Sequence, residues 1–263
     1  MYLETRSSKK APLDTFCWLS TRMKLLESGT APGSGTFNPG SICNLACVTC
    51  GPDLSTRWQR ELGYKVKTGN PKEISLELIA KAKKMQGVTI GGGEPMLNFS
   101  SQTMLDNLDS DQHVRIHFNG TVMPKLDFLE KSKRFKHISY CFSIDGIEKR
   151  FEYLRWPAKW NTVVDNIAWL SKAAPDNLEF AVNITISQLN GNYYQEVIHW
   201  VKHDMSRAAS NKEPTINFNH AGDTLLTQGY LNSLDLRRST DWRALFPLAM
   251  PNIPSERTRT VNL

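Results

Sequence analysis

The sequence lacks any apolar run approaching the roughly 18 residues that a membrane-spanning helix needs, its longest being stretches such as HISYCFSI at 137–144. Its opening, MYLETRSSKKAPLDTF, has no apolar core of a secretory signal. Both absences predict a cytoplasmic chain without a membrane partner. No segment is collagenous or low in complexity, and no unit repeats at a fixed period, so fibrous and solenoid architectures are excluded. Charge of one sign is not in great excess: 32 Lys and Arg against 26 Asp and Glu give +6. The basic clusters KAKK (81–84) and KSKRFK (131–136) fall where helices are expected, so they read as solvated helix faces. A nucleic-acid partner is permitted by that charge and not indicated by it. Cysteine is scarce, five in all, and three of the five lie within eight residues. That bunching is too close for an ordinary disulfide framework and points to metal or redox chemistry in a reducing compartment.

What is present is an ordinary globular composition, 40% hydrophobic and 22% charged over 263 residues, enough for one large domain or two small ones. A stretch rich in Gly, Ser and Pro, SGTAPGSGTFNPGS at 28–41, separates an N-terminal extension (1–35) from the rest. Strand-like runs at 88–93, 113–120, 137–146, 178–187 and 214–220 then alternate with helical patterns at 75–85, 100–110, 126–135, 161–174 and 193–203. With a first strand around 36–43, six β/α units span 36–222, and a helix with an irregular tail fills 223–263. The predicted fold is α/β, a partial (β/α)6 barrel of parallel strands with helices outside.

The strand faces are sharply divided. Val114, Ile116 and Phe118 alternate with Arg115, His117 and Asn119; Phe180, Val182, Ile184 and Ile186 alternate with Asn183, Thr185 and Ser187; Ile216 and Phe218 alternate with Asn217 and Asn219. Helices outside would cover the apolar faces, leaving a polar lumen suited to a polar ligand. An antiparallel sheet with one solvated face has the same alternation, but helix-length connections separate nearly every pair of strands.

Cys43, Cys47 and Cys50 stand in SICNLACVTCGP (41–52). Their spacing allows a buried stripe on a helix, a structural zinc site completed by a distant His113, His117 or His137, or an iron–sulfur cluster. Asn44 and the terminating Gly51-Pro52 favour a loop over a helix interior. The run GGGEP (91–95) lacks the Lys and Ser/Thr of a phosphate-binding loop, and its glycines let backbone come close to a neighbour while carbonyls stay free to accept. In SYCFSIDG (139–146), Ser143 and Asp145 share one strand face at the C-terminal end, where barrel sites lie.

C-x-x-x-C-x-x-C after the first strand, followed by G-G-E-P (92–95) after the second, resembles the radical S-adenosylmethionine enzymes over roughly 36–222. The resemblance implies that Cys43, Cys47 and Cys50 bind three irons of a 4Fe-4S cluster. The fourth iron would chelate the methionine moiety of S-adenosylmethionine, which is cleaved to a 5′-deoxyadenosyl radical that abstracts hydrogen from a substrate. It further implies that Gly92, Gly93 and Glu94 hold the ammonium group and that Arg155 binds the methionine carboxylate. Ser143 and Asp145, in an S-x-D-G pattern like that of members acting on peptides, would help hold the cofactor, and Asn183 with Thr185 or Ser187 would reach the ribose. The implied partners are a peptide or small-molecule substrate and an electron donor such as flavodoxin or ferredoxin. Thr49 stands where many members carry an aromatic residue against adenine, which leaves Val48 or another residue for that contact. CNLACVTCGPDLSTRW and DWRALFP (241–247) resemble a group from bacteria and their phages whose C-terminal twitch domain often binds a second cluster. Only Cys17 and Cys141 remain, too few for a four-cysteine auxiliary cluster.

Overall fold

The computed structural model describes residues 24–27, 33–64, 66, 73–187, 189–208 and 214–220. Cys17 and the expected C-terminal helix and tail (223–263) lie outside the described residues. The strands are β1 (Lys24–Glu27), β2 (Ser34–Asn38), β3 (Gly87–Ile90), β4 (His113–Phe118), β5 (His137–Ser143), β6 (Leu178–Ile186) and β7 (Thr215–His220). They form one sheet in sequence order, with β2 through β7 parallel and β1 antiparallel on the edge beside β2. Among the described residues β7 does not pair back to β1, so the sheet is open, as a partial barrel requires. The edge strand β1 lies inside the span that the sequence assigned to an extension.

The helices are α1 (Thr56–Glu61), α2 (Leu76–Lys83), α3 (Phe99–Asn107), α4 (Leu126–Ser132), α5 (Glu148–Leu154), α6 (Trp160–Ala173) and α7 (Tyr194–Trp200), the last running into a π-helical turn over Val201–Met205. Capping and charge follow the sequence. Ser55 and Ser75 accept from Trp58 N and Leu78 N at the starts of α1 and α2, and α2 carries Glu77 in its first turn and Lys81 and Lys83 in its last. The basic clusters are occupied by ordinary surface pairs, Lys83 with Asp109, Lys131 with Asp106 and Lys133 with Glu130. Such surface pairs contribute little to stability.

The division of strand faces is realised. Phe37, Val88, Ile90, Val114, Ile116, Phe118, Tyr140, Phe142, Val182 and Ile184 are at most 2% exposed and pack under the helices, for example against Val163, Ile167 and Leu170 of α6. Each such side chain stabilises the fold by roughly 2 kcal/mol of apolar burial. On the opposite face, Thr36, Asn38, Thr89, Arg115, His117, Ser143 and Thr185 keep partial exposure, so solvent reaches the concave side. The first strand ends at Asn38, five residues before the expected 43. Pro39 has no N–H for the ladder, Gly40 turns at φ +129°, and Asn38 Oδ1 accepts from Gly40 N. Residues 39–55 are thereby released as a loop at the C-terminal end of the strands. No described helix is long and apolar enough to cross a membrane.

Candidate active site

The loop at 39–55 carries all three clustered cysteines and contains no helix, which removes the buried-stripe reading. Its backbone is tied on both flanks. Ala46 N and Val48 N donate to Trp156 O and Leu154 O at the C-terminal end of α5, while Thr56 N donates to Ser41 O. Trp58 Nε1 donates to Cys47 O at 2.8 Å, and Thr56 Oγ1 exchanges hydrogen bonds with the backbone of Cys43. Ala46, Val48, Trp58, Tyr153, Leu154 and Leu189 form a small core beneath the loop. Burial pushes the Cys50 thiol up to about 12 and the Cys43 thiol well above its ordinary value, with the neighbouring Cys47 sulfur adding to both. Metal-free, these groups are thiols, and a bound metal would displace their protons. No three His, Cys, Asp or Glu side chains among the described residues converge as a single-ion site would require. In a cluster each thiolate binds its own iron, so its ligands need not meet at one point.

The GGGEP run packs onto this loop. Gly92 and Gly93 have φ of +100° and +56°. A Cβ on Gly92 would stand 2.5 Å from the Asn38 side chain, and one on Gly93 2.6 Å from Gly40 O and 2.7 Å from Ile42 O. The close approach these glycines permit is therefore to the cysteine loop itself, sealed by Glu94 N donating to Ile42 O. Gly93→Ala is expected to cost about 2 kcal/mol or more, because a left-handed residue would also press its Cβ on two backbone carbonyls. Urea denaturation of the metal-free protein measures this.

Glu94 is fully buried, its Oε1 accepting from Met96 N and its Oε2 from Asn119 N. Burial raises its carboxyl to about 7 against the opposing pull of those two N–H groups. The folded state thus keeps a proton that the unfolded chain has lost, so this contribution to stability is full below the ordinary glutamate range and fades as pH rises through about 7. Between roughly pH 5 and pH 8 the metal-free protein should lose up to about 3 kcal/mol from this group, and Glu94→Gln should flatten that slope in denaturation curves.

Asn119 does not face the lumen as a free recognition group. Its Nδ2 donates to Asn44 Oδ1 at 2.9 Å, its Oδ1 accepts from Thr121 N and Oγ1, and Asn44 Nδ2 donates to Thr121 Oγ1 at 2.8 Å. One residue therefore grips both motifs, the cysteine loop by side chain and Glu94 by backbone. Asn44 and Thr121 were missed from the sequence; the Asn119-Gly120 pair ending β4 was the available turn signal.

Asp145 and Arg155 come together beside the cysteine loop. Arg155 Nη2 stands 2.7 Å from Asp145 Oδ2, and Asp145 Oδ1 accepts from Thr185 N. Arg155 Nη1 lies 3.9 Å from Cys47 Sγ, while its Nε is buried without a hydrogen-bond partner. Desolvation raises the Asp145 carboxyl against the attraction of Arg155; that same carboxylate raises Arg155 despite burial. Ser143 lies opposite Asn183 in the β5–β6 register, one layer below Asp145. Asn190, also missed, donates to both Asp145 O and Thr185 O and fixes the turn after β6.

The family model described as the Radical SAM superfamily matches residues 37–202. A 7-carboxy-7-deazaguanine synthase of Clostridium acetobutylicum is 31% identical over 172 residues, covering 59% of this chain and 73% of that protein. Among solved structures, Streptococcus suis SuiB bound to its precursor peptide SuiA aligns with a TM-score of 0.52 at 16% identity, over 79% of this chain and 45% of that one. Escherichia coli coproporphyrinogen III oxidase (HemN) aligns with a TM-score of 0.46 at 11% identity, over 88% and 56%. The chain spans about half the length of these two structures.

Proposed function

The chain belongs to the Radical SAM superfamily, and from that membership we propose that Cys43, Cys47 and Cys50 hold a 4Fe-4S cluster beside a site for S-adenosylmethionine. When bound, the cluster and S-adenosylmethionine would together supply reductive, hydrogen-abstracting radical chemistry, while the protein's residues hold and orient them. The observation that carries the assignment is Arg155: a buried cation 3.9 Å from Cys47 Sγ with Nε unpartnered, the place for a carboxylate at the cysteine loop. Three soft thiols on one anchored loop suit iron–sulfur ligation and leave a fourth iron open.

Each residue then has a task. The turn at Gly92 and Gly93 offers carbonyls to the ammonium group, and Glu94, with both oxygens on backbone N–H groups, holds that turn in shape. Arg155, oriented by Asp145, receives the methionine carboxylate. Ser143 and Asn183, paired across β5 and β6, face the ribose. The open lumen admits a polar substrate, and the S-x-D-G pattern favours a peptide, in keeping with the peptide-bound SuiB structure. A compact carboxylated heterocycle is the second reading, favoured by the 31% identity to the deazaguanine synthase. The reductant would be a flavodoxin or ferredoxin.

The test is anaerobic: load the protein with iron and sulfide, add S-adenosylmethionine and dithionite, and quantify 5′-deoxyadenosine. Product above a protein-free control supports the assignment. A loaded protein that neither forms product nor binds S-adenosylmethionine in a titration overturns it.

A further inference from the structure

Among the described residues, the concave face of the sheet holds one cation to which the proposed function gives no task. Arg115 lies on β4 opposite to the buried Val114 and Ile116 and stays partly exposed. Its Nε donates to Ser139 Oγ at 3.3 Å, and it forms no ion pair among the described residues. The nearby acids are committed elsewhere, Asp145 to Arg155 and Glu94 to two backbone N–H groups. Glu179, in register with Ser139 across β5 and β6, is exposed.

The layer above Arg115 is built largely of small residues. In register it runs His117, Cys141, Ala181, and Gly91 lies on the other side of His117, where an added Cβ would stand 3.6 Å from that of His117. Two minimal side chains thus flank His117 and Cys141. Burial, with Arg115 nearby, lowers His117 to about 4, and burial raises Cys141 to about 12, so both are neutral near pH 7. Asn217 Nδ2, 4.0 Å from Cys141 Sγ, adds a second donor to the wall. Among the described residues Arg115 is the cation of this layer, with Arg155 also acting on Cys141 from nearby, in a concave, partly desolvated setting where the field of a cation is focused.

We propose that Arg115 receives an anionic group of the substrate, a carboxylate or a phosphate, at the floor of the lumen. With Nε held by Ser139, the guanidinium edge carrying Nη1 and Nη2 is left for the anion, the geometry suited to a two-pronged oxyanion contact. Ser143 stands four residues beyond Ser139 on β5, about 13 Å higher at strand rise. The inference rests on the reading of the lumen as the substrate's place.

The test uses full-length, cluster-loaded protein labelled with 15N-histidine, with the His117 ring signal identified by its absence in His117→Gln. Orthophosphate and succinate are titrated separately, against sodium chloride at matched ionic strength. The expected result is a saturable shift of the His117 signal by one or both probes, weakened at least tenfold in Arg115→Gln and by a smaller factor in Arg115→Lys. A response to orthophosphate alone assigns a phosphate, and one to succinate alone a carboxylate. No shift beyond that of chloride, or an equal shift in Arg115→Gln, overturns the proposal. Because this signal needs no turnover, it is separable from the functional reading. Wild-type protein that binds a probe yet neither forms 5′-deoxyadenosine nor binds S-adenosylmethionine refutes the functional reading and leaves the anion site standing.

Discussion

Cys47→Ala is expected to bring 5′-deoxyadenosine formation down to the level of a protein-free reaction and to lower the iron bound per chain, while the fold persists. The loop does not depend on the sulfur for its shape. Cys47 O is held by Trp58 Nε1, and the adjacent Ala46 and Val48 N–H groups are tied to Trp156 O and Leu154 O. Removing one thiolate leaves two on the loop, too few to hold a cluster with a single open iron. Iron analysis, product quantification and circular dichroism on the same preparation make the check. Cys141→Ala, on β5 and outside the cysteine loop, should load iron as the wild type does. Product formation undiminished in Cys47→Ala would remove this loop from the chemistry.

Arg155→Leu is expected to have the largest effect on stability, roughly 3 kcal/mol, because it leaves Asp145 fully buried without its counter-charge. Asp145 can escape part of that cost by taking a proton, and its carboxyl is already raised by desolvation. A carboxyl raised in the folded state stabilises most below its unfolded pKa and loses that contribution as pH rises. The penalty of Arg155→Leu should therefore grow from roughly pH 5 to pH 8, and adding Asp145→Asn should recover part of it at the higher pH. Urea denaturation of the metal-free proteins at both pH values decides. A double variant no more stable than Arg155→Leu at the higher pH would show that the pair is not what the charge balance makes it. In loaded protein, the Arg155 substitution should also weaken binding of S-adenosylmethionine.

Much of the fold was legible because period-two alternation and helix-length connections are local properties of the chain. Val114, Ile116 and Phe118 against Arg115 and His117 already told which face each would take. Boundaries were less legible. The first strand stops at Asn38 because a proline and a positive-φ glycine follow, and β1 pairs at the edge without a strong pattern of its own. The short helices α1 and α5 also escaped, each being about two turns in a stretch to which no element was assigned.

The chemistry-bearing residue types were fixed by sequence alone: three thiols at spacings four and three, a Gly-Gly-Glu-Pro run, an acid and an arginine ten residues apart. Their partnerships were decided only by the tertiary structure. Glu94, expected at a ligand, also accepts from the backbone N–H groups of Met96 and Asn119. Asn119, expected in the lumen wall, clamps Asn44 and Thr121. Gly92 and Gly93 seat against the cysteine loop, some fifty residues upstream in sequence. Side-chain periodicity reveals which way a residue points, but hydrogen-bond partners at the ends of parallel strands come from separate β/α units, and only the register of the assembled sheet brings them within reach.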